Sequence, residues 1–387
     1  MKKMIVLLII ISFTFMGCWD SVETEELGVV TAIGLGISES NNIRVIIQEI
    51  PHKKQTTSNE GSAGGNKSSF YMYDGSGPTI SEAIQRMSAN EHHRLYFAHT
   101  KVIILDEALV STKGIKPIID FFERTPEVRL STWILTSPMN QFDKMLSKDV
   151  GIGIDTGSML EETIHNKRQN SILTISDLKD FVEMFNKSGS EAYSSGVSIK
   201  SQNSADNQAS KEKFYVKDTA VFKGDKMVGW LTDEEYMGFS WINGDGKGAI
   251  MNIPLGDGVL SLRIVRIKSK LQPVIDDGEM KMNIDIEIIS NIQESQVNYN
   301  FMNEDTIKKV EHLQNEKVKS QITAAFEKSK RLNSDVFRVG SYFNMRYPDF
   351  WKGIQNNWYS YYSEVKVNIN VNSTVKDVGN VYKSLRR

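Results

Sequence analysis

The chain has a single cysteine, Cys18, and it stands directly behind a greasy run in LLIIISFTFMGCWDS. A lone thiol can build neither a disulfide framework nor a thiolate metal cage. What remains open to it is acting as a nucleophile that takes on another group. Three histidines, His92, His93 and His99, cluster in sequence and invite a metal reading. A helix ending near Glu91 and a strand starting near Phe97 keep them apart, and no second cysteine can complete the ligand set. A surface pair plus a partly packed His99 is expected, with no metal and no cofactor. Glu161–Glu162 and Asp276–Asp277 are paired carboxylates, but adjacency alone does not give two carboxyls different environments, which acid–base work requires. The GLG at Gly34 and the GDGKG at Gly244 lack both the Lys-Ser/Thr ending of a P-loop and complete GxGxxG spacing, so they read as turn glycines. No GxSxG, HExxH or SxxK motif occurs, and no catalytic residue is expected. In YFNMRYPDFWKGIQNNWYSYY, Trp351 and Trp358 are seven apart with Ile354 between them. That spacing predicts one helix face used for core or interface packing.

The cysteine is explained by what precedes it. Lys2 and Lys3 are followed by a largely apolar stretch from Met4 to Met16, then by Gly17 and Cys18. About 13 helical residues reach ~20 Å, short of the ~30 Å hydrocarbon core of a bilayer. Residues 1–17 are therefore expected to be an export signal and not a permanent span. A small residue followed by cysteine resembles a bacterial lipobox, in which the sulfur receives a diacylglyceryl group and the cysteine becomes the first mature residue. Phe15 and Met16 stand where that motif usually has a leucine and a small residue. At ~0.8 kcal/mol per buried CH₂, two acyl chains hold a protein on a bilayer where one is marginal. Cys18 is the expected lipid attachment site, tethering the body to the outer face of the cell membrane.

The elements behind this anchor suit a folded, multidomain body. The 387 residues, 40% hydrophobic and 24% charged, exclude global disorder and multiple spans. A net charge of −2 with no basic patch argues against nucleic acid as a partner. ELGVVTAIGLGIS and NNIRVIIQEI predict a hairpin, followed by a low-complexity loop at 55–69. Thr79 and Glu82 have capping-box spacing ahead of a helix. Strand, helix and strand are predicted in TKVIILD, IKPIIDFFER and VRLSTWILT. Ser137 with Pro138, and Ser176, are expected to start two further helices. A polar stretch at 201–213 is the expected linker between an N-terminal α+β region, 18–200, with two subdomains, and a C-terminal α+β domain, 214–387. Beyond it, LSLRIVRI, KMNIDIEII and EVKVNINVN alternate as strands. A long amphipathic helix is predicted over 304–332, acidic at its start and basic at its end. The fold class expected is α+β: two to three small domains with antiparallel or mixed sheets flanked by helices. No repeat of 20–50 residues is visible.

Four stretches resemble the Ger(x)C family, the lipoprotein C subunits of Bacillus-type spore germinant receptors. They are GCWDSVETEELGVVTAIGLGI; RLYFAHTKVIIL with FFERTPEVRLSTWILT, including His99 and Arg129; TAVFKGDKMVGWLTDEEYMGFSWINGDGKGAI, with Trp230 and Glu234–Glu235; and YPDFWKGIQNNWYSYYSEVKVNINVN. Asn344 and Met345 depart from a family pattern that often has a Gly and a His or basic residue before Arg-Tyr-Pro. The resemblance implies three small α+β domains in a row on the spore inner membrane. It also implies a receptor subunit, not an enzyme, that acts with a polytopic A-type and a transporter-like B-type germinant receptor subunit in the response to nutrients. A solute-binding lipoprotein of an importer is the alternative. Such proteins usually have two doubly wound lobes, which the meander-like C-terminal half does not suit.

Overall fold

The computed structural model describes residues 27–50, 70–89, 94–147, 155–170, 173–202 and 211–377. The expected leader, Cys18, the loop 55–69, and His92 and His93 lie outside the described residues.

A ten-stranded mixed sheet organises the first part. Its strands are β1 (Leu27–Ile37), β2 (Ile43–Ile50), β3 (Tyr71–Gly77), β4 (Arg94–Tyr96), β5 (Val102–Asp106), β6 (Trp133–Ser137), β7 (Ser176–Asp177), β8 (Tyr193–Gln202), β9 (Lys211–Lys223) and β10 (Lys226–Leu231). The order is β10-β9-β8-β6-β5-β1-β2-β3, with β4 beside β1 and β7 beside β6. The centre, β1–β5–β6–β8, is parallel, and the outer pairs β1–β2, β2–β3, β8–β9 and β9–β10 are antiparallel. Parallel pairing needs helical crossovers that cover both faces, so central strands read as unbroken apolar runs. β5, VIILD, is buried at every position. Its alternate residues feed two cores: Ile103 and Leu105 join the larger one, and Val102 and Ile104 the smaller.

The crossovers and flanking helices are α1 (Ile80–Ser88), α2 (Glu107–Thr112), α3 (Lys116–Glu123), α4 (Phe142–Ser147), α5 (Thr156–Asn170) and α6 (Leu178–Asn186). α1, α3 and α6 pack on the larger core. Phe142, Met145 and Leu146 of α4, with Leu160 and Ile164 of α5, close the smaller one.

After α7 (Asp233–Asn243) a second sheet forms from β11 (Ile250–Leu255), β12 (Gly258–Asp276), β13 (Glu279–Ser295) and β14 (Lys366–Asp377), in that order. Met282, Ile284, Ile286 and Ile288 face inward at period two. They share a core with Val310, Val318, Ile322 and Phe326 of α8 (Glu304–Leu332). The helix is capped by Asn303, whose side chain accepts from the Asp305 N–H. β13 and β14 are parallel. The long connection between them, α8 followed by α9 (Val339–Arg346), α10 (Pro348–Ile354) and α11 (Trp358–Glu364), is what that geometry demands.

The α+β class with mixed sheets and flanking helices holds. Local details differ from the sequence reading. Residues 201–213 are not a free linker at their ends: Lys200 to Gln202 of β8 pair with Lys211 to Lys213 of β9 in one antiparallel ladder. The passage to the second sheet therefore comes after Leu231. Ser137 ends β6 and its hydroxyl bonds the Pro138 carbonyl, so α4 begins only at Phe142. Asp177, not Ser176, caps α6, accepting from the Asp180 N–H, while Ser176 bonds the Tyr193 carbonyl. A carboxylate is the stronger acceptor at a helix N-terminus. The segment 128–132 stays outside the β6 ladder. Trp351 and Trp358 do not share one helix, because a 3-10 turn at Gln355–Asn357 separates α10 from α11. They still meet edge to face, with ring centres 4.9 Å apart.

Candidate functional site

Helix α6 concentrates the features that the packing does not consume. Leu178, Phe181 and Met184 are its buried positions, and residues of the helix, Leu178 and Met184 included, line two neighbouring concavities. One is an apolar groove of about 630 Å³ between the end of α3, the following loop and α6. Phe122, Val128, Leu130, Leu178 and Val182 form its walls, with Glu123, Lys179 and Glu183 among its charged lining. The loop is held by the backbone: the Leu178 N–H donates to the Thr132 carbonyl at 2.8 Å and the Lys179 N–H to that of Leu130 at 3.0 Å. Leu130 is thereby fixed with 57% of its surface exposed. Such a groove can bury an apolar group, with charge at its margin.

The second concavity, about 230 Å³, is polar and lined by Asp180, Glu183, Met184, Lys187, Tyr193 and Arg338. Five of these come from α6 and β8 or the turn between them; Arg338 comes from the turn that enters α9. Burial pushes the Asp180 carboxyl up, Asp177 adds to this, and Arg338 pulls it down. The Tyr193 hydroxyl is pushed up to about 12, chiefly by burial.

Arg338 is delivered there by a clamp between the two parts of the chain. Asp335 is fully buried. One carboxylate oxygen accepts from the Val339 N–H at 2.8 Å; the other accepts from the Gly340 N–H at 2.8 Å and from Trp358 Nε1 at 2.9 Å. Burial lifts this carboxyl to about 8, against those three donors, which favour the ionised form. Its backbone carbonyl accepts from the Glu191 N–H, and Ser341 bonds the carbonyls of Ser188 and Gly189. Gly189, at φ +71°, lies against Gly340 so closely that a Cβ on Gly340 would stand 2.7 Å from the Gly189 Cα and 2.6 Å from Trp351. Glu191 accepts from the Gly224 N–H at 2.6 Å and from the Tyr359 hydroxyl, and burial raises its carboxyl.

The residues singled out in the sequence do not converge here. His99 sits in a 3-10 turn, edge-on to Tyr96 at 5.8 Å. Glu161 pairs with Lys101 at 2.8 Å. Asp276 pairs with Lys281 at 2.6 Å, and Asp277 turns the β12–β13 hairpin at φ +48°. Glu235 completes a capping box with Thr232 at α7. Trp230 donates to Glu107 at 3.0 Å. Gly34 faces Phe142 and Leu146 across a gap with no room for a side chain, and Gly244 ends α7 in the left-handed region. Among the described residues, no three His, Cys, Asp or Glu side chains are placed to hold a metal. No described helix is long and apolar enough to cross a membrane. The groove and the clamp escaped sequence reasoning. The only hint of the clamp was an aspartate four and five residues ahead of Val339 and Gly340, a spacing at which a carboxylate can reach two backbone N–H groups.

Comparison with known proteins agrees with this architecture over most of the chain. Residues 20–199 match the spore germination protein N-terminal domain, and residues 217–379 match the family described as Spore germination B3/ GerAC like, C-terminal. The spore germination protein YndF of Bacillus subtilis (strain 168) is 25% identical, over 97% of this chain and 96% of its own length. Spore germination protein KC of the same organism is 21% identical, over 97% and 95%. The crystal structure of the GerBC protein superposes with a TM-score of 0.53 at 16% identity, covering 89% of this chain and 96% of that one. This likeness shows a shared fold. With both family matches spanning all but the ends and a short interior stretch, the chain belongs to the GerAC-like family of spore germination proteins.

Proposed function

We propose that this chain is the lipid-anchored, non-catalytic C subunit of a spore germinant receptor. A diacylglyceryl group on Cys18 holds it to the outer face of the spore inner membrane, where it acts with an A-type and a B-type membrane subunit in the germination response to nutrients. The observation that carries this reading is the pair of family matches beginning at residue 20, two residues behind the lone cysteine and its apolar leader. The relatives named as spore germination proteins B3, KC and A3 align along nearly their whole length. Of the carboxylates and histidines singled out in the sequence, Glu161 and Asp276 are held in ion pairs and His99 stands edge-on to Tyr96. The anchor is tested by Cys18→Ala. Fatty-acid labelling and membrane partitioning are expected to be lost, and the spores should respond to nutrient as slowly as those of a deletion strain. Persistent labelling would remove the anchor, and normal germination of a strain with no related receptor would remove the role.

A further inference from the structure

Four ionisable side chains of both signs face the polar cavity beside α6: Asp180, Glu183, Lys187 and Arg338. Opposite charges this close on a surface ordinarily close into ion pairs, as Arg44 does with Asp74 and Lys217 with Asp233 elsewhere in the fold. Here none does. Among the described residues, none of the four makes an ion pair within 4 Å. Two further observations single the cavity out. Tyr193 is only 9% exposed, lines the cavity, and its hydroxyl has no hydrogen-bond partner among the described residues. A hydroxyl that opens onto a cavity and is not engaged by the chain is free to donate to, or accept from, a group placed there. Arg338 holds φ at +60°, a left-handed conformation that is strained for a non-glycine residue. Strain of this kind tends to collect at ligand clamps. Asp335, three residues earlier, fixes the turn that imposes it, and the Arg338 N–H donates to the Asp335 carbonyl at 3.1 Å.

We propose that this cavity binds a small zwitterion, a molecule carrying one ammonium and one carboxylate group. Arg338 takes the carboxylate through its planar fork of donors. Asp180 and Glu183 take the ammonium, and the Tyr193 hydroxyl completes the set as donor or acceptor. Met184 gives the molecule's carbon skeleton its one apolar contact. At about 230 Å³ the cavity falls below the ~300–1,000 Å³ of sites for drug-sized ligands, so the ligand is of amino-acid size. Because α6 and β8 supply one charge pole and the α9 turn the other, an occupant bridges the two parts of the chain. The site stands apart from the receptor role: it can be present in a chain that joins no receptor, and a receptor subunit can lack it.

The test uses the full chain in detergent, titrated by calorimetry with L-norvaline and 5-aminovalerate as zwitterions and with valerate and n-butylamine as their single-charge counterparts. At least one zwitterion is expected to bind at millimolar concentration or tighter, and neither counterpart to bind within tenfold of it. Arg338→Gln should weaken the zwitterion by about ten- to a hundredfold, the equivalent of one charge-assisted contact, and Asp180→Asn with Glu183→Gln should do the same. Unchanged thermal unfolding of these variants separates a lost contact from a lost fold, and Arg338→Lys should recover part of the affinity. Absence of binding by both zwitterions overturns the proposal. Equal binding of valerate or butylamine, or affinity indifferent to Arg338→Gln, overturns it as well. Membrane partitioning and germination, which test the receptor role, enter none of these readouts.

Discussion

Asp335 and Arg338 are three residues apart and stand for opposite uses of charge. The Asp335 carboxyl is fully buried and meets three N–H donors, so its cost of desolvation is offset in part where it sits. Arg338 is half-buried, strained, and faces two carboxylates without closing on either. A charge satisfied within the chain positions backbone, and a charge left open can position something else. The same turn contains both, which is why the clamp and the cavity must be disturbed separately to learn which does what.

The largest effect is expected at the clamp. Asp335→Ala strands the Val339 and Gly340 N–H groups and Trp358 Nε1 in a dry interior and should cost about 3–4 kcal/mol in chemical denaturation. A loss below 1 kcal/mol would mean that water reaches the junction. Gly340→Ala ranks next. Its Cβ would meet Trp351 at 2.6 Å and the Gly189 backbone at 2.7 Å, so two parts of the chain must separate, at about 1–3 kcal/mol. Gly353, with nothing near its Cβ position, is the control: Gly353→Ala should not destabilise.

The clamp also predicts a pH dependence. An Asp carboxyl near ~3.9 when unfolded and about 8 when folded binds its proton more tightly in the native state. Stability from this group is therefore fully present below pH ~4 and is lost as pH rises through about 8. Asp335→Asn should flatten that part of the profile while lowering stability throughout. A profile with the same slope in both proteins would place the titration elsewhere, with Glu191, also raised by burial, as the neighbour to examine.

Much of the architecture was legible because it rests on local pattern. The alternation in KMNIDIEII, the run VIILD and the polarity of α8, with Glu304 and Asp305 at one end and Lys330 and Arg331 at the other, each dictate an element without reference to the rest of the chain. What could not be read is long-range. Whether β14 runs parallel to β13 depends on the connection through α8 to α11. That residues 200–202 pair with 211–213 depends on which strand is free at the edge of β8. The cavity joins Asp180 to Arg338 across more than 150 positions, and its meaning lies in ion pairs that do not form, for which a sequence carries no pattern. Cys18 is the reverse case: its reading is local and rests wholly on the residues around it.

The smallest stability effects belong to the cavity, and they are the sharpest test of the contrast. Glu183 is exposed and unpaired among the described residues, so Glu183→Gln removes no native contact and should shift stability by less than about 0.5 kcal/mol. Arg338→Gln keeps a non-glycine residue at φ +60° and breaks no ion pair, so the same bound applies. If either change costs as much as Gly340→Ala, these charges brace the fold through contacts with one another in solution and the distinction from Asp335 fails. If both are neutral alone and together, the Glu183 carboxylate and the Arg338 guanidinium contribute nothing to folding that their loss can reveal. A neutral double variant would thus leave the chain with opposed charges that folding does not need, beside a tyrosine hydroxyl that opens onto the same cavity.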